Sequence, residues 1–443
     1  MSLMRRWSIV LLLLPAALAH AQTPASGSEL LFREVRVLDT ARGVLGPSTD
    51  VLVRGNRIAA IGDGVQPSAS ARVIEGRGRT LMPGLIDVHW HSTFTALPQA
   101  DLLAPDASPE KLTAIVAAES QRTLLRGFTS VRDAGGPIFE LKAAIDAGKV
   151  QGPRIWPSGA FISQTAGHGD MRQPHERSRR FFGKPSMAEE MGATFIADGR
   201  DEVLTAVREN LRMGASQIKL MAGGGTSSAY DPIDVTQYTF DELRAAVEAA
   251  EDWGTYVMVH AYTARAVRRA IEAGVKCIEH GQLLDEETLA LMAERGVWLS
   301  TQTLRPSTEA LDPLRREKRK PVIEGQARTI ALAKRAGVRM AWGTDFLFEP
   351  ALNTEQNAFI LLLREWFTPA EILRMVTRDN ADLLALSGLR SPYEGRLGVV
   401  EEGALADLLL VDGDPLQDLD VIADPARNFA VIVKDGRIVK DAD

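Results

Sequence analysis

Two patterns of apolar positions divide the chain. Toward each end, short runs alternate apolar and polar residues, as strands with one buried face do. Phe32, Val35 and Val37, then Val51, Val53, Ile58 and Ile61, lie on such runs, with Arg54-Gly55-Asn56-Arg57 as a hairpin turn. The last stretch repeats the style. Asp407–Val411 reads as a strand, and Val431–Val439 as a hairpin turning at Asp435-Gly436. These patterns predict a small β-sandwich domain assembled from both termini, residues 22–82 and 394–443.

Residues 83–393 instead alternate short apolar strands with amphipathic helices. Eight strands are predicted, at Leu85–His89, Thr129–Arg132, Ile155–Ser158, Ile218–Met221, Val257–His260, Cys277–His280, Trp298–Thr301 and Met340–Thr344. Helices fill the gaps, at 109–126, 138–147, 201–213, 240–253, 264–273, 285–295 and 318–336, and Gly follows several of them, as a left-handed cap requires. Eight strand–helix repeats predict an α/β fold, a parallel (β/α)8 TIM-type barrel. A doubly wound open sheet would need a Gly-rich phosphate turn after its first strand, and that turn carries histidines here.

The 443 residues suit one large barrel plus an accessory domain. A net charge of −7 with no basic stripe argues against nucleic-acid binding. Residues 1–21 read as a signal peptide. Arg5 and Arg6 precede the apolar run Trp7–Leu14, and Ala19-His20-Ala21 fits a cleavage site. That run is too short for a membrane anchor and is interrupted by Pro15. The expectation is an exported protein, periplasmic or secreted, with no stable membrane anchor once the leader is removed. Cys277 is the sole cysteine, so no internal disulfide forms, and its place in a strand predicts a buried structural thiol.

Six histidines follow the leader: His89, His91, His168, His175, His260 and His280. Reactive groups of such barrels gather at the C-terminal ends of the strands. His89 and His91 alternate at the end of the first strand and so share a face. His260 ends the fifth, His280 the sixth, and Asp345 follows the eighth. Imidazole and carboxylate together suit zinc or a similar first-row metal. Lys219 ends the fourth strand. A lysine buried beside such a pocket is costly as an ammonium, and as a free amine it can take up carbon dioxide to become a carbamate, a bridging ligand.

These residues resemble the metal-dependent amidohydrolase superfamily across nearly the whole chain past the leader. Pro83–His91, Lys219, His260, His280, Gly343-Thr344-Asp345 and the terminal segment Gly403–Leu408 carry the resemblance. A finer likeness, in Ser163–Asp170, Lys219–Gly225 and Tyr230-Asp231-Pro232, is to the prolidase-like and ochratoxinase-like branch. Gly224-Gly225-Thr226 and Ala197-Asp198-Gly199 depart from the commoner pattern of that branch.

The resemblance implies a binuclear centre of two divalent ions, zinc foremost. His89, His91 and Asp345 would hold the first ion and His260 and His280 the second, with carbamylated Lys219 and a hydroxide bridging them. It implies hydrolysis of the amide to a C-terminal amino acid, in Xaa-Pro-type dipeptides or N-acyl amino acids such as ochratoxin A. A small-molecule amide or dipeptide is the expected partner, and a homo-oligomer, up to an octamer, the expected assembly. Asp345 would serve as base and then acid. His168 would bind the substrate carbonyl or its oxyanion, or else order its loop. Tyr230 would bind the substrate carboxylate, and His175 would be a surface loop residue. Trp90, Phe94, Leu97, Phe346, Leu347 and Phe348 would line an apolar pocket or simply pack loops. Two other readings stay open: a ring-opening amidohydrolase, imidazolonepropionase-like or a lactonase, and a non-catalytic exported binding protein. No Gly-x-Ser-x-Gly elbow or complete phosphate loop is present.

Overall fold

The computed structural model describes residues 29–102, 109–228, 230–305 and 313–442. The expected leader lies outside the described residues. Among the described residues, no helix is long and apolar enough to cross a membrane.

Strands from the two ends of the chain share one sheet of eight strands. Along its path lie Arg437–Asp441, Phe429–Lys434, Leu408–Val411, Thr80–Pro83, Glu29–Asp39, Val44–Arg54 and Arg57–Ile61, with Arg72–Glu75 added beside Glu29–Asp39. The expected joining of the termini is therefore direct. Leu408–Val411 pairs antiparallel with Thr80–Pro83, Leu409 facing Met82. Both expected hairpins form, with Arg54 opposite Arg57 and Lys434 opposite Arg437. Asp435 and Gly436 both take left-handed φ, of 55° and 68°, as a tight two-residue hairpin turn demands. Phe32, Val35, Val51, Val53, Leu408, Leu410, Val431 and Val433 pack as one apolar core between residues far apart in sequence. The pairing joins these strands in one continuous sheet, and the two sheets expected of a sandwich are not separated.

All eight expected barrel strands form, as Leu85–Trp90, Phe128–Asp133, Arg154–Pro157, Ile218–Met221, Val257–Thr263, Cys277–Leu283, Trp298–Thr301 and Met340–Trp342. Their neighbours pair in parallel. The helices between them carry the expected terminal signals. Thr239 and Glu242 form a capping box at the start of Phe240–Asp252, and Gly274 closes Ala264–Ala273 in a left-handed cap.

The ladder is not one continuous ring. It consists of a three-stranded arc and a seven-stranded arc. One seam has a local cause in the third strand. Arg154–Pro157 pairs with Phe128–Asp133, and the chain then kinks at Gly159, whose φ is 77°. It resumes as Phe161–Ser163, which pairs with Ile218–Met221. The second seam separates Met340–Trp342 from Leu85–Trp90 and is stitched by a side chain. Asn380 Nδ2 donates to the carbonyls of Ile86 (2.7 Å) and Trp342 (2.8 Å), and its Oδ1 accepts from Trp342 N.

Candidate active site

Alternation along the first strand turns His89 and His91 the same way, with ring centroids 5.2 Å apart. The Nε2 atoms of both lie 3.2 Å from Asp345 Oδ1. Asp345 reaches them because the chain leaves the eighth strand in a left-handed conformation, φ 55°, while its backbone N–H donates to the His89 carbonyl at 2.8 Å. His280 breaks the alternation of its own strand in the same way, with φ 79°, and Gly281 follows at 67°. His280 and its neighbour Glu279 consequently both turn toward His89. The His280 ring lies 5.0 Å from that of His89 and 4.4 Å from that of His260. Lys219 Nζ completes the group, buried and 3.4 Å from His89 Nε2. His89, His280 and Asp345 offer donor atoms within 4.8 Å of one another.

Each of the four imidazoles has one nitrogen engaged outside the cluster. His89 Nδ1 lies 2.7 Å from Glu279 Oε2, His91 Nδ1 2.9 Å from the Gly135 carbonyl, His260 Nε2 3.0 Å from the Gly224 carbonyl, and His280 Nδ1 2.7 Å from Gln302 Oε1. Every partner atom is an acceptor, so each engaged nitrogen carries the proton in the neutral ring. The lone pair then sits on His89 Nε2, His91 Nε2, His260 Nδ1 and His280 Nε2. Four neutral imidazole donors, a carboxylate and a lysine amine form a set that fits first-row divalent cations.

The charges fit the same reading at three of the four rings. Burial, with nearby cations, holds the imidazoles of His260 and His280 well below their ordinary range, and burial lowers His91. Burial and Lys219 also disfavour a charged His89, yet Asp345 and Glu279 outweigh them and raise it. Burial lowers the Lys219 ammonium toward the free amine. Burial works against the Asp345 carboxylate, but His89, His91 and His280 keep it well below the usual carboxylate range.

His168 stacks on His260, with centroids 4.0 Å apart and planes 21° from parallel. Its Nδ1 is 2.8 Å from Ser228 Oγ, and the Ser228 hydroxyl donates to Asp231 Oδ1. A methyl group at Gly225 would occupy the space of the His168 ring. Glycine at 225, one of the departures noted in the sequence, thus makes room for this stack.

Tyr230 is placed differently. It is exposed, and its hydroxyl donates to the Arg172 carbonyl at 3.0 Å. His175 is exposed in its loop. Cys277 is buried, and burial pushes its thiol up. Of the six apolar residues near the mouth, Trp90, Phe94, Leu97 and Phe346 are packed in the core, while Leu347 and Phe348 are only partly buried.

Several supporting groups were not singled out in the sequence. Asp87, fully buried, accepts from the Thr344 hydroxyl (2.7 Å) and Gln356 Nε2 (3.0 Å), tying the first strand to the segment before Asp345. Asp133 accepts from the Ser92 and Gly135 backbones and orders the turn after His91. Burial pushes its carboxyl up to about 7. Glu279, Gln302 and Asp231 each hold an imidazole. Asp87 stood within the Asp-x-His-x-His run and Glu279 directly before His280, so both were adjacent to recognised residues, but their partners come from distant strands.

The amidohydrolase family model matches residues 80–439. An ochratoxinase of Aspergillus niger is 33% identical over 371 residues, covering 81% of this chain and 75% of the relative. An imidazolonepropionase of Anaeromyxobacter sp. (strain K) is 26% identical over 442 residues, covering 89% and 91%. The crystal structure of a prolidase complexed with N-methylphosphonate-L-proline superposes with a TM-score of 0.85 at 35% identity, covering 93% of this chain and 100% of that one.

Proposed function

The chain belongs to the amidohydrolase family, in its prolidase-like and ochratoxinase-like branch, and is a hydrolase of C–N bonds; from that premise we propose that it cleaves the amide bond to a C-terminal amino acid in dipeptides or N-acyl amino acids. The observation that carries this reading is the convergence of His89, His91 and His280 on Asp345, beside Lys219. Two relatives support the proposed substrate class: one is an ochratoxinase, and another is a prolidase crystallised with N-methylphosphonate-L-proline.

His89, His91 and Asp345 would hold one divalent ion, and His260 and His280 a second. Lys219 would join the two sites as a carbamate, its amine forming an N–C bond to carbon dioxide and releasing a proton. Ions held there would supply a Lewis acid for the carbonyl and lower the pKa of a water.

The protein's own groups handle the protons and the substrate. Asp345 accepts a proton from the attacking water and passes it to the leaving nitrogen. Water thereby delivers its oxygen to the acyl carbon and a proton to the amine, and the products are a carboxylic acid and a free amino acid. His168 reaches the carbonyl oxygen through Nε2. Because Ser228 gives its only proton to Asp231, His168 Nδ1 donates to Ser228. With Asp231 Oδ2 also 3.4 Å from Nδ1, Nε2 is the ring nitrogen left to serve the oxyanion. We further propose a homo-oligomeric protein exported by cleavage after Ala21.

The test is mass-spectrometric detection of products from metal-loaded protein. Xaa-Pro, Xaa-Phe and basic dipeptides, N-acyl amino acids and ochratoxin A form the panel, each with and without chelator. Release of a free C-terminal amino acid, abolished by chelation, is expected. No release from any member, with metal bound, would overturn the reading and favour ring opening, as in the imidazolonepropionase relative.

A further inference from the structure

Beneath the imidazoles the barrel interior holds an ion network that the proposed chemistry does not use. Arg132 and Glu279 are both fully buried, and Arg132 Nη2 donates to Glu279 Oε1 at 2.6 Å. Arg132 spends its other donors across the barrel: Nε on the Val88 carbonyl (2.6 Å), and Nη1 on the Tyr256 hydroxyl (3.0 Å). Cys277 Sγ donates to Glu279 Oε1 at 3.0 Å. The second carboxylate oxygen, Oε2, is left for His89 Nδ1 at 2.7 Å.

Burying a guanidinium and a carboxylate is a poor way to stabilise a barrel. Desolvation consumes most of the attraction, and apolar residues of similar volume do as well or better. The pair does determine the state of His89. An ionised carboxylate only accepts, so His89 Nδ1 must donate to it, and the Nε2 lone pair faces Asp345 and Lys219. Gln302 Nε2 also lies 3.3 Å from His89 Nδ1, but it donates to the Ser300 carbonyl as well, and Glu279 is the nearer partner. Among the nitrogens engaged outside the cluster, only His89 Nδ1 has a carboxylate within hydrogen-bond distance; His280 Nδ1 is 3.7 Å from Asp345 Oδ2. The others rest on backbone carbonyls or an amide oxygen.

We propose that Glu279 is a positioning residue that fixes His89 as the Nδ1–H tautomer, and that Arg132 orients Glu279 for that task. The proposal rests on reading the imidazole cluster as a metal centre. It makes an uncommon demand of two variants. In Glu279→Gln, Arg132 holds the amide oxygen, so the amide N–H2 faces His89 and forces the opposite tautomer, whose lone pair points away from the cluster. In the double variant Arg132→Met/Glu279→Gln only the Cys277 thiol remains at that end of the amide; a thiol is a weak donor that can also accept, so the amide can turn its oxygen to His89 and restore the Nδ1–H form.

The experiment measures zinc affinity by competition with a chromophoric chelator, and the visible spectrum of the cobalt-loaded protein, for wild type and both variants. Glu279→Gln should bind about 10- to 100-fold more weakly with an altered cobalt spectrum. The double variant, which leaves no uncompensated guanidinium, should fold and recover most of the affinity and the wild-type spectrum. Wild-type affinity in Glu279→Gln would overturn the proposal. A double variant that folds but binds no better than the single one would also overturn it, since a purely structural role predicts no recovery. A wild-type protein that binds neither ion would instead overturn the functional reading on which the proposal rests.

Discussion

Two buried guanidinium groups, Arg132 and Arg154, sit on adjacent barrel strands and do different things. Arg154 leaves the third strand outward. Its Nε donates to Asp407 Oδ2 (2.8 Å), just before a strand of the terminal sheet, and its Nη2 to Asp435 Oδ1 (2.6 Å), in a hairpin turn of that sheet. Asp407 Oδ1 accepts the Asp435 backbone N–H at 2.6 Å, and Asn56 donates to Asp435. That network ends on backbone and turns, and it latches the barrel to a hairpin. Arg132 leaves the second strand inward, and its network ends on an imidazole of the candidate centre. The ion pair is chemically the same in both places. The partner of the second carboxylate oxygen decides whether it serves assembly or the site.

Variants at the two ends of these networks can separate or merge them. The largest effect is expected at Asp345, beyond the inward network. Asp345→Asn should lower turnover by about 1000-fold or more while circular dichroism and the melting temperature stay close to wild type. A variant with most of its activity would remove Asp345 from proton transfer. His168→Ala should reduce kcat roughly 100-fold without changing metal content by elemental analysis, and Gly225→Ala should act in the same direction by displacing the ring. Loss of metal in either would make His168 part of the ion site rather than an oxyanion donor. On the outward network, Asp407→Ala leaves Arg154 with Asp435 as its remaining carboxylate and should cost about 1.5–3 kcal/mol in chemical denaturation. The fraction that stays folded should bind zinc as wild type does, and a parallel loss of affinity would show that the two networks are not separable. The smallest effect belongs to Tyr230→Phe. With its hydroxyl on the Arg172 carbonyl, KM should not move, and a raised KM for substrates with a free carboxylate would bring Tyr230 into the pocket.

The eight strands and most helix ends were legible because each depends on local periodicity and caps. Ala264–Ala273 is reproduced to the residue, and the Asp435-Gly436 turn needed only its own two residues. The imidazoles were legible because each ends a strand that could be recognised alone. What holds them was not. Gln302 meets His280 from the next strand, Asp231 meets His168 across sixty residues of chain through Ser228, and Glu279 and His280, neighbours in sequence, share the site only because His280 adopts φ 79°. Side-chain pairing across strands and a left-handed histidine leave no periodic trace. The kink at Gly159 and the extra strands Phe161–Ser163 and Thr194–Ile196 were missed for a related reason, since three residues are too few to show a period.

The broken ladder has a mechanical consequence. His89 and His91 ride on the three-stranded arc, whereas Lys219, His260 and His280 ride on the seven-stranded arc, and Asp345 follows its last strand. At the stitched seam the hoop is held by Asn380 and a few contacts of the Asp345 segment, not by a full ladder. Cations gripped from both arcs would act as a clasp across that gap. Stripping them should speed deuterium uptake at residues 85–91 and 340–345 before the rest of the barrel, and uniform uptake across all eight strands would show that the hoop does not need a clasp.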